Sequence, residues 1–455
     1  MTEAGTMATR VARVLALVLM AVGRVSAQTP PNAPAAQVPH VTEDVAGTGA
    51  VEVVDEAEEI QAASGGAAGD ARRTMTLELS LAGSGSDDKT PTAATGSGAL
   101  SGYHSDAGAF LTYGTRGQRS SFAVTARSVV RYDAADGELS AMQGQGTLDY
   151  LVAGSRTQFH VSQNFTYTPS YQFGALPEVA GAPASPLAQS AQAHGDYANV
   201  GVAAYGSITN VELARALSRR STLSFSYGLR HTAFAGAGAG FIAHAVGFRF
   251  TRQISRHASL RLGYGYQFGG SGETADGRAH AHNIDVGIDY GGALKISKRT
   301  TVTFGTGSSV LTEGTGQAYR MSADASLTRL IGHAGHARLT YRRGVQVLEG
   351  FGGPVMFDAI NAGFDETFRR RIAFTSSVGF SSGAVGSTGG GHGFDTITGA
   401  AGLRLPLTRR SALEAQYFYY QQRVGSLATL TPGLLGALNR QGVRVGVTWG
   451  RSLLH

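Results

Sequence analysis

Cysteine is absent from the 455 residues, which excludes a disulfide framework and every thiolate metal site. That absence suits a chain that crosses an oxidising compartment without mispairing. Charge is scarce too. Only 15% of residues are Asp, Glu, Lys or Arg, against about 25% in an ordinary soluble domain. Long apolar runs are also missing. The run Val14–Val22 is too short to span a bilayer as a helix, and no later stretch is long enough. Glycine, by contrast, fills 64 positions. The mean hydropathy of −0.06 is odd for a helical membrane protein. It is natural where lipid-facing and water-facing residues alternate along strands.

What the chain does have is a repeat, and a repeat is weighed before any motif. Leu217–Tyr227 reads LSRRSTLSFSY, two basic residues in a turn-like cluster followed by strict alternation. Leu223, Phe225, Tyr227 and Leu229 fall on one face, and Thr222, Ser224, Ser226 and Gly228 on the other. A period of two means a strand with one apolar and one polar face. The pattern returns from Ile254 (ISRHASLRLGYGY), Ile296 (ISKRTTVTFGTG), Ile331 (IGHAGHARLTY), Phe368 (FRRRIAFTSSVGF) and Leu407 (LTRRSALEAQYFYY). Weaker copies stand at Arg72, Arg116 and Arg156. Nine basic turns, 34 to 64 residues apart, each launch one strand and leave room for another to return.

The repeat unit is therefore a hairpin, and nine hairpins predict eighteen antiparallel strands, from one near 74–82 to one near 441–450. Propeller blades have a similar period of about 40–50 residues, but each needs four short strands. Here each unit offers two strands of about ten residues or more, the length that crosses hydrocarbon when tilted. The expected fold is all-β: a closed antiparallel transmembrane β-barrel. The last strand, with Val443, Val445, Val447 and Trp449 on one face, would close on the first, with Met75, Leu77, Leu79 and Leu81. Closure removes edges that lipid could not satisfy.

Charge divides the chain further. The net charge is +6, residues 1–27 carry +2 and residues 28–71 carry −8, which leaves +12 from Arg72 onward. Arg10 and Arg13 precede the apolar run, and Val25-Ser26-Ala27 offers a small-residue cleavage site, so residues 1–27 read as a signal peptide. Residues 28–71, rich in Pro, Ala, Gly and acids, read as a flexible acidic periplasmic tail. Residues 72–455 are the expected barrel. No nucleic-acid module surrounds the basic residues, which sit in turns or alternate with small residues.

With these hairpins the chain resembles bacterial outer-membrane β-barrel proteins, porin-like, over nearly all of its mature length. More narrowly, Leu217–Tyr227, Ile254–Tyr264 and Leu407–Phe418 resemble the hairpins of porin-like barrels associated with exopolysaccharide export. The resemblance implies location in the cell outer membrane and contact with its lipids and lipopolysaccharide. It also implies insertion by the barrel assembly machinery after escort by periplasmic chaperones, and by analogy a homo-oligomer. One departure stands out. Such barrels usually end on an aromatic residue, whereas this chain ends Trp449-Gly450-Arg451-Ser452-Leu453-Leu454-His455. Either Trp449 serves as that signal or the terminus differs from the usual one.

Parity then assigns faces. Leu260, Leu262, Tyr264, Tyr266 and Phe268 should face lipid, as should Leu339, Tyr341 and Val345. The other parity gives the pore-lining candidates Arg127, Arg131, Arg249, Arg261, Arg320, Arg342, Arg404, Arg444, Asp149, Glu212, Asp289 and Glu414, together with Arg230, Arg338, Glu78, Asp285 and Asp324. A charge facing lipid near the midplane costs about 2–4 kcal/mol. Most of these charges would form ion-pair ladders in the wall, and an arginine excess would favour anions. The long loop 168–197 is the candidate for an inward-folded constriction, equally readable as a surface loop.

Enzyme signals fail on context. Gly379-Phe380-Ser381-Ser382-Gly383 fits G-x-S-x-G, but at a strand end with no helix after it. His280 and His282, placed in a loop, and His333 and His336, placed in a turn, lack a third ligand for zinc. No cofactor is implied. The expected function is a passive channel for small polar or anionic solutes. The alternatives are a conduit or accessory barrel for exopolysaccharide export, a barrel-borne hydrolase, and a purely structural barrel.

Overall fold

The computed structural model describes residues 72–88, 102–133, 139–168, 203–235, 240–271, 278–293, 299–313, 316–332, 335–347, 354–368, 372–385, 393–425 and 437–454. The signal-peptide and acidic-tail expectations, and the long loop from 169, lie outside these residues. Eighteen strands run in order: β1 Arg72–Asp88, β2 Gly102–Arg116, β3 Ser120–Asp133, β4 Leu139–Ala153, β5 Thr157–Thr168 and β6 Ala204–Ser218. They continue as β7 Ser221–Phe234, β8 Phe241–Gln253, β9 Ala258–Ser271, β10 Arg278–Ala293, β11 Thr300–Glu313 and β12 Gly316–Ile331. The last six are β13 Gly335–Val347, β14 Pro354–Phe368, β15 Ile372–Val385, β16 Gly393–Pro406, β17 Ser411–Val424 and β18 Ala437–Leu454. Each strand pairs antiparallel with its sequence neighbours, and β18 pairs with β1, so the sheet is closed.

The closing ladder sets Trp449 opposite Leu79 and Val447 opposite Leu81. Several strands outrun their sequence estimates. β1 continues past residue 82 because Gly83–Ser86 keep the ladder with β18 and β2 although they lack the bulky alternation that marks a strand.

Three of the basic turns share one construction. Ser218 Oγ accepts the Arg220 backbone N–H (3.2 Å), Ser255 Oγ that of His257 (3.2 Å), and Thr408 Oγ1 those of Arg410 (3.1 Å) and Ser411 (3.0 Å). A hydroxyl two residues back closes the turn. In these turns the Ser or Thr is the structural element, and the basic residues beside it are exposed. All these turns lie at one end with both barrel termini, Arg72 and Leu454, as an even strand count requires.

The two faces separate by exposure. On β18, Val443, Val445 and Val447 are 43–51% exposed, whereas Arg440, Arg444 and Thr448 between them are buried. On β18 the inner face is the buried one, and the register carries that face around the ring strand by strand. Outside stand Leu262, Tyr264, Phe248, Ile288, Phe304 and Leu403, all exposed. Near the short turns the outer face pairs aromatics: Phe225 with Phe248 at 5.0 Å, and Tyr290 with Phe304 at 5.4 Å. Near the loop end it carries Tyr103, Tyr132, Tyr205 and Tyr319. An apolar band between two aromatic girdles on a closed sheet is the form in which strands cross a bilayer. The chain is a transmembrane β-barrel.

Three sequence expectations need correction. His280 and His282 belong to β10, not a loop; both face outward, and their Nδ1 atoms bond the hydroxyls of Tyr266 (2.7 Å) and Tyr264 (2.8 Å). Their alternation with small residues hid the strand. His336 likewise starts β13 rather than lying in a turn, while His333 is outside the described residues. Charges also reach the outer face. Arg343 approaches Asp358 (3.7 Å), which accepts from Tyr341 Oη (2.7 Å). The pair sits four residues from the loop end of its hairpin and meets its own needs there.

Candidate functional site

Among the described strand residues, charge gathers mainly on the inner face, so the site is built there. The register puts every pore-lining candidate on that face. The side chain of Asp285 lies outside the described residues, and Arg338, near the short turns, is exposed. Arg261 and Leu262 display the rule, at 5% and 40% exposure.

The first cluster joins β18, β2 and β3. Arg131 donates Nε to Asp106 Oδ1 (2.7 Å) and Nη2 to Oδ2 (3.0 Å), a bidentate pair. Arg444 Nη2 approaches the same carboxylate from β18 (3.5 Å), and His104 Nε2 lies 3.9 Å from it. Two guanidiniums thus share one carboxylate, all nearly closed to water. Arg440 lies buried on the same inner face of β18. Asp106 and Arg440 were both missed in the sequence. Asp106 stands at the edge of the estimated strand, where parity is unreadable, and Arg440 lies just outside the estimated last strand.

The second cluster spans β9–β13. Between Ile284 and Tyr290 the β10–β11 ladder lapses, with five residues of β10 against three of β11. The excess is even, so the faces are kept. Gly287 closes the gap, because a Cβ there would collide with the Thr306 carbonyl oxygen. Arg261 Nη2 donates to that oxygen (3.3 Å) while Nη1 binds Asp289 Oδ1 (2.7 Å). Asp289 and Asp324 reach over Gly305 from either side, 2.9 and 2.6 Å from where its Cβ would be. Arg342 stands opposite Asp324 in the ladder. Arg261 is therefore tied into the wall at both ends.

Other candidates pair separately. Arg404 Nε approaches Glu414 Oε1 (3.5 Å), which also accepts from Thr448 Oγ1 (3.2 Å). Asp149 binds His160 Nε2 (2.7 Å), and the ladder sets Glu212 beside His160. In the ladder Arg127 stands opposite Phe110, Arg249 opposite Ser224 and Gly263, and Arg320 opposite Ser309. With Asp106 and Asp365 added to the inner acids, the arginine excess is local to the Arg131–Asp106–Arg444 cluster, since the same wall sets Asp88 opposite Arg440, Asp133 opposite His104 and Glu78 on β1.

Gly379, Ser381 and Gly383 all face inward from β15, regularly paired with β14 and β16. The backbone there is a plain strand, without the strand-to-helix turn that exposes a nucleophilic serine. Among the described residues no group of three or more His, Asp or Glu side chains could hold a metal ion.

No family model and no curated protein matches the chain. Solved structures similar to it include three Pseudomonas aeruginosa proteins. OpdL is 13% identical, with 84% of this chain and 99% of that chain covered and a TM-score of 0.43. OpdQ is 10% identical, with 84% and 98% covered and a TM-score of 0.42. OpdK, solved with vanillate, is 11% identical, with 84% and 98% covered and a TM-score of 0.41.

Proposed function

We propose that the barrel is a porin-like passive channel of the bacterial outer membrane, passing small polar or anionic solutes. The observation that carries this reading is the shared carboxylate of the β18–β3 wall. Arg131 and Arg444 both reach Asp106, so at that point of the inner face two guanidiniums meet one carboxylate. A lining of one sign concentrates counter-ions and sets selectivity. The pore-lining set proposed for this role is centred on Arg131 and Arg444, joined by Arg127, Arg249, Arg320 and Arg342. Arg261, Arg404, Asp149, Asp289 and Glu414 act chiefly as wall ties in this scheme.

The short basic turns then face the periplasm and the longer loops the exterior. The barrel assembly machinery, periplasmic chaperones and outer-membrane lipids are its proposed partners. Reconstitution in planar bilayers tests the function, with discrete conductance steps expected. A protein that inserts and stays silent overturns it. Tags near 136, 183, 272 and 388 should be accessible on intact cells and tags near 220 and 298 hidden. Labelling at 220 on intact cells reverses the orientation.

A further inference from the structure

The inner face of β14–β17 differs in kind from its neighbours. Its inner charges, Asp365, Arg404 and Glu414, all lie near the short turns, and among the described residues none stands beyond the row of Asp365. In their place stand amides and hydroxyls. Four of their oxygens are buried without a hydrogen-bond partner: Asn361 Oδ1 on β14, Ser377 Oγ on β15, Thr398 Oγ1 on β16 and Gln416 Oε1 on β17. Each of these residues is more than nine-tenths buried. An unmade bond in such a place is destabilising, and native structures rarely leave several together.

The register brings the four into one patch. Asn361 is opposite Gly379, which is opposite Thr398, which is opposite Tyr420. One inner position toward the short turns, Gly363, Ser377, Ala400 and Phe418 form the next row, and Asp365, Thr375, Gly402 and Gln416 the row after that. Three strand spacings, about 14 Å, separate β14 from β17. Glycine at 363, 379 and 402 leaves the wall thin between the polar groups. Phe418 and Tyr420 supply an apolar border, held with Leu438.

We infer that this strip is a recognition site for a neutral, polyhydroxylated solute, of the saccharide class. The unpartnered amide oxygens only accept, and hydroxyl oxygens both accept and donate, so the missing partner is a donor-rich molecule. An anion has no hydrogen to give the two amide oxygens. The nearest arginines, Arg444 opposite Gln416 and Arg440 opposite Tyr420, belong to β18, where Arg444 already meets Asp106 (3.5 Å). A cation would find one carboxylate, Asp365, at the edge of the strip. An apolar solute would leave all four oxygens unmet. Sugar hydroxyls satisfy them, and sugar C–H faces lie against the aromatic border. The patch is wider than one sugar ring. The inference rests on the channel reading, since the interior is the route by which a solute reaches the strip.

The test is calorimetric titration of the full-length, detergent-folded protein with sucrose, run beside its chloride conductance in bilayers. A saturable heat is expected, with affinity weakened about 2- to 10-fold in Thr398→Val and again in Gln416→Leu, the worth of one hydrogen bond each. Ser162→Ala, on the inner face of β5, should leave the affinity unchanged. Wild-type protein giving only heats of dilution overturns the inference, with ordered water left as the partner of these oxygens. So does an affinity indifferent to both variants. Conductance without sucrose heat removes the strip and spares the channel. Variant-sensitive sucrose heat from a silent barrel does the reverse.

Discussion

Two neighbouring stretches of the same inner wall, β14–β17 and β18–β3, are built on one backbone pattern and hold opposite chemistry. Both turn an apolar face outward, and both bury polar side chains on the inner side. The β18–β3 stretch meets burial with ions, gathering Arg131, Arg444 and His104 around Asp106. The β14–β17 stretch meets it with neutral groups and leaves four oxygens unmet. The cost of burial falls differently in the two. A charge cluster fails when one member is removed, because the others are stranded. A neutral unpartnered group can be replaced by an apolar one of the same shape at almost no cost. The same lattice thus supplies one wall whose polar groups hold it together and another whose polar groups are held in reserve.

The largest expected effect follows from the charged wall. Asp106→Ala leaves Arg131 and Arg444 facing each other without their carboxylate, which costs about 3–5 kcal/mol when the pair is buried. Loss of the heat-resistant folded form on a gel is expected, and wild-type mobility would show that this wall is well hydrated. Next comes the division between inside and outside. Leu262→Arg puts a charge into hydrocarbon, at about 2–4 kcal/mol near the midplane, and should impair assembly. Arg261→Gln loses its ion pair and its bond to the Thr306 carbonyl, about 1.5–3 kcal/mol for a charged hydrogen bond. It should lower the urea midpoint yet still assemble. Normal assembly of Leu262→Arg with failure of Arg261→Gln would exchange the faces. The smallest effect belongs to the neutral wall, where Thr398→Val should stay within about 1 kcal/mol of wild type in urea unfolding. A large loss there would mean that the Thr398 hydroxyl is bonded after all.

Much of the barrel was legible in the sequence because its grammar is strict. The strand count and closure follow from nine basic turns and a period of two, and the facing of Arg261 and Leu262 follows from parity alone. What was not legible is contact across strands. Asp106 organises the charged cluster, but it sits where the estimated strand begins. The lapse between β10 and β11 depends on Gly287 approaching Thr306, and one glycine among 64 carries no mark of that. The neutral strip was passed over for a different reason. Charge draws attention in a chain that is 15% charged, whereas Asn361, Ser377, Thr398 and Gln416 become notable only once the ladder places them together. Arg343 and Asp358 show the converse: parity puts both outside, and pairing with each other and with Tyr341 makes that position tolerable.

The central claim is that the interior conducts and that its β18–β3 wall favours anions. The most direct test is the reversal potential of single channels across a potassium chloride gradient, measured for the wild type and for Arg444→Gln. The account predicts a wild-type potential of the sign set by chloride, displaced toward zero when Arg444 loses its charge. A reversal potential of the sign set by potassium, in a barrel that inserts and conducts, would contradict it.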